Sequence, residues 1–400
     1  MIQRILPQID QITRDTSISH FLLMFGYRMF SFYFPLFLIE KGYSVPQIGY
    51  VYLFIYLPIA LAAPFVGFLN HKINPALLTI IGIAGYACYA LSMLFAWDFW
   101  IFLLLQVMLG IAAACYFVSS RAMLMGFHLK NPNRSFGWFY SSSLYVDILA
   151  PALGALLIWF GNFYLVFLAS LIAHVLNVIF VAWRLYAKAK VLKDHTNIRQ
   201  MAGNFKEMGK GLAHRMMLAA LAVSLATLFV TGIYRSFFFV FLREEGWQEQ
   251  SILLYGTISS IAFALFSLLV IKRLGRESSV QAIREGGGIF SLTTILLGFG
   301  VFFAPLLNFV SVLIITLLHG AGGMMVGSGK SGLLSKRFFA YPEEAGALDT
   351  IFAPLASAFG SLAAGLMIGV WGFGSVFMGA GMLVGGTVIA AFFLGKRNFG

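Results

Sequence analysis

Charge is scarce in this chain. Of its 400 residues only 10% are Asp, Glu, Lys or Arg, while 60% are hydrophobic. Soluble globular domains carry charge on about a quarter of their residues, so a water-facing surface over most of the chain is excluded. Cysteine is nearly missing. Cys88 and Cys115 both sit inside apolar runs, which rules out a disulfide framework and offers no metal-ligand spacing. Acids are the rarer charge, 15 against 27 Lys and Arg, yet the +12 balance is spread over short connectors and forms no single patch for nucleic acid. Residues 1–18 are polar and mixed in charge, with no small-residue cleavage site behind a short apolar core, so no cleaved signal peptide is expected. Zinc, serine-hydrolase and paired-carboxylate motifs are missing as well. Gly327-Ser-Gly-Lys-Ser-Gly332 looks like a phosphate loop, but Met324 stands where the first Walker glycine is required. The segment also ends an apolar run instead of opening a helix, where the helix dipole disfavours phosphate. No enzyme activity, cofactor or metal is expected.

Long apolar runs are what the chain has in quantity. Runs of spanning length stand at about 19–39, 46–69, 75–96, 99–125, 137–159 and 162–186, then at 215–242, 250–272, 284–304, 306–330, 344–371 and 374–395. That is an all-α membrane protein with twelve transmembrane helices. Its 42 Phe and 41 Gly fit, since small residues let membrane helices approach one another. The connectors alternate in charge. One set carries Arg4, Arg14, Lys72, Lys130, Arg134, the 184–215 cluster, Lys272, Arg273, Arg276, Lys336, Arg337, Lys396 and Arg397; the other holds Lys41 and Arg243 among Glu40, Asp98, Glu244, Glu245 and Glu249. By the positive-inside rule both termini are cytoplasmic, in a plasma (inner) membrane. The longest polar segment divides the chain into an N-terminal six-helix half (1–186), a basic cytoplasmic linker (187–214) and a C-terminal six-helix half (215–400). Within the linker, Phe205–Leu212 reads either as an amphipathic helix on the membrane surface or as a solvated stretch drawn to anionic headgroups.

The two halves repeat one another. Phe34, Phe37, Leu38, Glu40 and Gly42 in span 1 fall ungapped on Phe238, Phe241, Leu242, Glu244 and Gly246 in span 7. Tyr27-Arg28 and Tyr234-Arg235 are then offset by about one helical turn. Spans 4 and 10 share a small-residue stretch closed by a cation, Arg121 and Lys330. Spans 5 and 11 share Gly137 and Gly346, Asp147 and Asp349, Pro151 and Pro354, Trp159 and Trp371. Parallel six-helix halves are a secondary-transporter pattern. An arginine at bilayer depth costs roughly 2.5–3.5 kcal/mol on insertion scales and faces water or a partner, so Arg28 and Arg235 mark a charged interior. Gly365-x-x-x-Gly369 and Gly381-x-x-x-Gly385 read as helix-packing faces.

On these features the chain resembles the major facilitator superfamily over essentially its whole length. Gly67-Phe68-Leu69-Asn70-His71-Lys72 stands where that family has its loop motif between spans 2 and 3, with Asn70 in place of the acid; the resemblance implies a gating loop with Gly67, Asn70 and Lys72. Gln106 replaces the family's span 4 arginine, and Asp147-Ile-Leu-Ala-Pro151-Ala-Leu-Gly154 resembles its span 5 motif. The resemblance implies that spans 1, 4, 7 and 10 line a central cavity. Arg28 and Arg235 then become candidate substrate residues, resembling the one arginine on each of those helices in the superfamily's organophosphate:phosphate antiporters; Tyr27 and Tyr234 beside them are candidates to offer a hydroxyl or a stacking face. Two guanidinium forks match a phosphate or carboxylate.

Asp147 reads either as a structural partner of Arg28 or as a proton-coupling site. His319, mid-span on helix 10, reads as a substrate ligand, a proton relay or a packed hydrogen-bonding residue. His174 and Asn177 are expected to bond across neighbouring helices. Three functions follow. The first is an antiporter or symporter of a small anionic solute, working as a monomer, with protons as a possible second partner. The second is a proton-coupled exporter of neutral or cationic compounds that uses Asp147. The remote third is a non-transporting membrane receptor. The topology has a direct check. Cysteines placed in 40–45, at 97, in 160–162 and in 244–249 should label from outside intact cells, and those at 130 and in 190–200 only after permeabilisation; external labelling at 195 contradicts twelve crossings.

Overall fold

Helix starts follow from local chemistry. Asn74, Asp98, Asn131, Ser278 and Asn308 each precede a helix and accept a backbone N–H from its first turn, of Ala76, Trp100, Arg134, Gln281 and Ser311 respectively. Pro75 and Pro132 follow two of these caps, at positions whose N–H would have no helical partner. The computed structural model describes residues 9–31, 41–42, 45–95, 98–127, 129–189 and 198–396. Arg4, residues 32–40 with Phe34, Phe37, Leu38 and Glu40 of the repeat, Lys190 and Lys193 of the linker, and Arg397 lie outside the described residues, as do the side chains of Pro151, Trp159 and Arg243.

All regular structure among the described residues is helical. Spans 1 to 4 are Gln11–Ser31, Val45–Lys72, Pro75–Met93 and Phe99–Gly126. Spans 5 and 6 share the stretch Pro132–Arg184, parted where Asn162 takes a φ of 63°. Asn tolerates that left-handed conformation better than most residues. The linker helix is Ile198–Leu212. Spans 7 to 10 are Arg215–Glu244, Glu249–Leu274, Ser279–Gly300 and Phe309–Arg337, the last preceded by a 3₁₀ turn at Ala304–Leu307. Spans 11 and 12 share Pro342–Lys396, broken where Gly372 adopts φ 73° and ψ 166°, a conformation that suits a residue without Cβ. Eight of these segments meet the length and hydropathy of a membrane crossing within the described residues.

The repeat reappears as contacts between helix backbones. A Cβ on Gly154 of span 5 would lie 2.1 Å from the Met29 carbonyl oxygen of span 1, and one on Gly360 of span 11 would lie 1.9 Å from that of Phe229 in span 7. Gly82 meets Ala112 and Tyr116 across spans 3 and 4, and Gly286 meets Gly322 and Val326 across spans 9 and 10. Corresponding helices thus pack through the same small-residue contacts in both halves. Gly381 and Gly385 lie against Ser291, as a packing face requires, whereas Gly369 has nothing within 4 Å and does not pack in this way. Asp15 ties the start of span 1 to the end of span 6, with Arg184 at 3.4 Å and Lys188 at 3.1 Å.

The halves meet at the end of the bundle that carries the linker helix. Apolar residues of both fill that seam: Leu124, Met125, Phe136 and Phe139 with Leu334, Phe338 and Ala345, and Ala63, Val66 and Cys115 with Ala347. The linker helix is no free surface helix. Its Met208 is buried in the first group and Phe205 packs against the second; a seam needing apolar cover competes with lipid for that face. Among the described residues, hydrogen bonds and ion pairs between the halves reach no further from this end than Tyr145, whose hydroxyl is 3.3 Å from Ser267 Oγ. Gly154→Ala and Gly360→Ala should each lower thermal stability, by about 1–3 kcal/mol for forced overpacking, while Gly379→Ala, with nothing within 4 Å of its Cβ, should not. Melting curves in detergent read both.

Candidate functional site

Farther from the linker end than that seam, charged side chains of spans 1, 5 and 7 keep access to water, and the place they share is here called the cleft. Arg28 leaves span 1 toward span 5, where its Nε lies 3.2 Å from Asp147 Oδ1. Both side chains keep water access, at 28% and 22% exposure, so this is a pair on a wall and not one sealed in a core. Arg235 on span 7 is exposed. Among the described residues no carboxylate stands within ion-pair distance of it. Arg235, Arg28, Asp147 and the Tyr56 hydroxyl are close enough for their charges to act on one another across the cleft. The sequence-expected residues that the structure gathers are therefore Arg28, Asp147 and Arg235.

The other candidates flank them. Tyr27 is half-buried, edge-on to Phe30 and Tyr86 at 5.3 and 5.8 Å. Tyr234 stacks on Phe238 at 4.5 Å and leans on His319 at 4.4 Å. His319 itself is only 4% exposed, wedged on Phe290 with Nδ1 3.3 Å from Thr294 Oγ1. That burial against span 9 fits the packing alternative. Asn177 donates to the Ser19 carbonyl of span 1 at 2.9 Å. His174 differs from expectation: it packs on Gly26 and Tyr86, and neither ring nitrogen makes a hydrogen bond.

At the linker end the loop-motif residues lie in the seam. A Cβ on Gly67 would be 3.0 Å from that of Ala347 and 3.2 Å from the Glu343 carbonyl oxygen, so spans 2 and 11 approach there as only a glycine permits. Asn70 is buried and donates to its own helix at Val66, and Lys72 is exposed. Its neighbour His71 makes the bond between halves, with Nε2 2.8 Å from Glu344 Oε1. Sequence reasoning missed His71 because it looked for the family's acid at position 70.

Beside it lies a buried network around Asp349. Lys330 Nζ is 2.7 Å from Oδ1 and Arg121 Nε is 3.4 Å from Oδ2, while Ser331 donates to Oδ2 at 2.8 Å and Tyr140 at 3.2 Å. Arg121 also donates to Thr350 Oγ1 at 2.7 Å. Arg121, Lys330 and Asp349 were each visible as repeat positions; their convergence was not.

Two six-helix groups closed at one end around a charged cleft define the architecture of a secondary transporter. The chain belongs to the major facilitator superfamily, whose family model matches residues 16–348. Its fold is similar to that of the human organic anion transporter MFSD10 (TETRAN), at 16% identity and a TM-score of 0.73, with 96% of this chain and 98% of that one covered. It is also similar to the E. coli fucose:proton symporter FucP, at 12% identity and a TM-score of 0.76 over the same shares. A FucP structure in the outward conformation matches at 13% identity and a TM-score of 0.73. At such identities the likeness shows the fold alone. No curated protein sequence matches the chain. The family makes this a multi-pass membrane transporter and not an enzyme.

The network sets a testable expectation. Asp349→Asn leaves Lys330 and Arg121 without their carboxylate, and breaking a buried pair costs about 3–5 kcal/mol. The closed linker end should loosen. Cys115, 8% exposed in the seam, then becomes reactive to maleimide in the Asp349→Asn variant on a Cys88→Ser background, and stays protected without the Asp349 change.

Proposed function

We propose that the chain moves a small anionic solute by alternating access, gripping it between Arg235 and Arg28. The observation that carries this reading is the exposed Arg235 facing the Arg28–Asp147 pair. Two cations against one carboxylate leave a net positive charge in a low-dielectric cleft. A phosphate or carboxylate would neutralise it and engage each planar fork through two hydrogen bonds. Asp147 gives the coupling. Ionised, it competes with the solute for Arg28; protonated, it releases the guanidinium, so proton and anion load together. With the basic linker side cytoplasmic, the cleft opens outward, and the halves 1–186 and 215–400 move about the 187–214 linker as a monomer in the plasma membrane. Tyr27 and Tyr234, each the residue before an arginine, offer a hydroxyl or a ring face beside the solute.

A second reading rests on the same carboxylate: Asp147 could instead hold a cationic compound for export. The two separate by ligand and by variant. A thermal-shift panel of phosphate esters, carboxylates and cationic drugs should show stabilisation by anions only, stronger as pH falls. Asp147→Asn should remove the pH dependence and keep binding. Arg235→Lys keeps the charge but loses the fork, so it should weaken binding; Arg235→Ala should abolish binding while making the empty protein more heat-stable. Wild-type affinity in Arg235→Ala, or stabilisation by cations alone, contradicts the anion reading.

A further inference from the structure

Where spans 2 and 11 meet, three ligand-type side chains converge that neither the cleft nor the Asp349 network uses. His71, Glu343 and Glu344 are all buried, and one ligand atom from each lies within 4.8 Å of the others. Two donors already hold one oxygen of Glu344. His71 Nε2 is 2.8 Å from Oε1, and Asn204 of the linker helix donates to it at 2.7 Å. The other oxygen, Oε2, is fully enclosed and accepts no hydrogen bond. A carboxylate oxygen in that position has lost its hydration and gained nothing in return. Asn70, the residue before His71, is also fully buried; its Nδ2 serves Val66 while Oδ1 has no donor. The corner thus holds two buried acceptor oxygens without a hydrogen bond, Glu344 Oε2 and Asn70 Oδ1.

We propose that His71, Glu343 and Glu344 form a divalent-metal site that is complete only while spans 2 and 11 are apposed. An imidazole and two carboxylates are a mixed nitrogen and oxygen donor set suited to Zn²⁺ or Mn²⁺. The spacing agrees. Ligands about 2.0–2.2 Å from one ion on adjacent octahedral corners stand about 2.8–3.1 Å apart, the separation of His71 Nε2 and Glu344 Oε1; without metal that contact is a hydrogen bond, so the ion enters as Nε2 gives up its proton and the imidazole takes the Nδ1–H tautomer. Asn204 serves as the outer partner that fixes Glu344. Because His71 belongs to the first half and both glutamates to the second, the ion binds the conformer closed at the linker end. By mass action it holds that conformer and slows the transport cycle. The linker helix, through Asn204, makes the site sensitive to its own docking.

Metal-stripped full-length protein is titrated with Zn²⁺ and separately with Mn²⁺, following melting temperature and heat of binding. At least one ion should raise the melting temperature saturably. His71→Gln keeps a donor for Glu344 but ligates metal poorly, and it should weaken binding at least about tenfold, the lower end of what losing even an outer partner costs. Asn204→Ala should fall in the same range. Arg235→Ala should leave the metal response intact, so failure here is distinguishable from failure of the anion reading. Wild-type protein that shows neither melting shift nor heat at millimolar ion overturns the proposal. So does a response of equal strength in wild type, His71→Gln and Glu344→Gln.

Discussion

A charge inside a bilayer must reach a partner or water, and in this chain that constraint organises both ends of the molecule. With so few ionised groups in the apolar spans, each has a legible reason for its depth. At the cleft, Arg28 and Asp147 share one wall and Arg235 stands exposed on the other. At the seam, Asp349 holds Lys330 and Arg121 with almost no water access. The first arrangement leaves charge to be answered from solution. The second also sets two cations against one carboxylate, but its groups are met within the protein, Asp349 by Lys330, Arg121, Ser331 and Tyr140 and Arg121 by Thr350 as well, so it closes an end through protein contacts alone.

Much of this was legible before any coordinates. The apolar runs and alternating connector charge implied the helical segments, because bilayer thickness fixes the length of a crossing. The repeated Tyr-Arg pair pointed to spans 1 and 7 because the cost of a deep arginine forbids an idle one. The Arg28–Asp147 contact was one of two weighed alternatives, since a single sequence gives depth but not azimuth. What could not be read was which residues meet across the halves. Asp349 lies 228 positions from Arg121 and Glu344 lies 273 from His71, and no local pattern encodes such pairings. The sequence leaves His319 between a substrate, a proton-relay and a packing role, because depth alone does not say which side of the helix it occupies; in the structure it packs on Phe290 and Thr294.

Small residues set the geometry within which those charges act. Gly154 against Met29 and Gly360 against Phe229 bring spans 5 and 1, and 11 and 7, into backbone contact. That closeness carries Asp147 within reach of Arg28. A bulkier residue at Gly154 would move the carboxylate away along with its helix. The Gly154 contact thus ties packing between spans 1 and 5 to the electrostatics of the Arg28–Asp147 pair.

The seam also has the form required of a contact that must break. If the halves part, Arg121 leaves with spans 1–6 while Asp349 stays with spans 7–12. Asp349 keeps Lys330 and Ser331, both of its own half. Arg121 keeps the ring faces of Phe117 and Tyr140, 5.5 and 5.8 Å from its guanidinium carbon and also of its own half. Neither charge is stranded, so separation forgoes the attraction between halves without adding the full penalty of an unpaired buried ion. A simple pair spanning the seam would lock it. A carboxylate with one cation on each side leaves a closure that can release without stranding either charge.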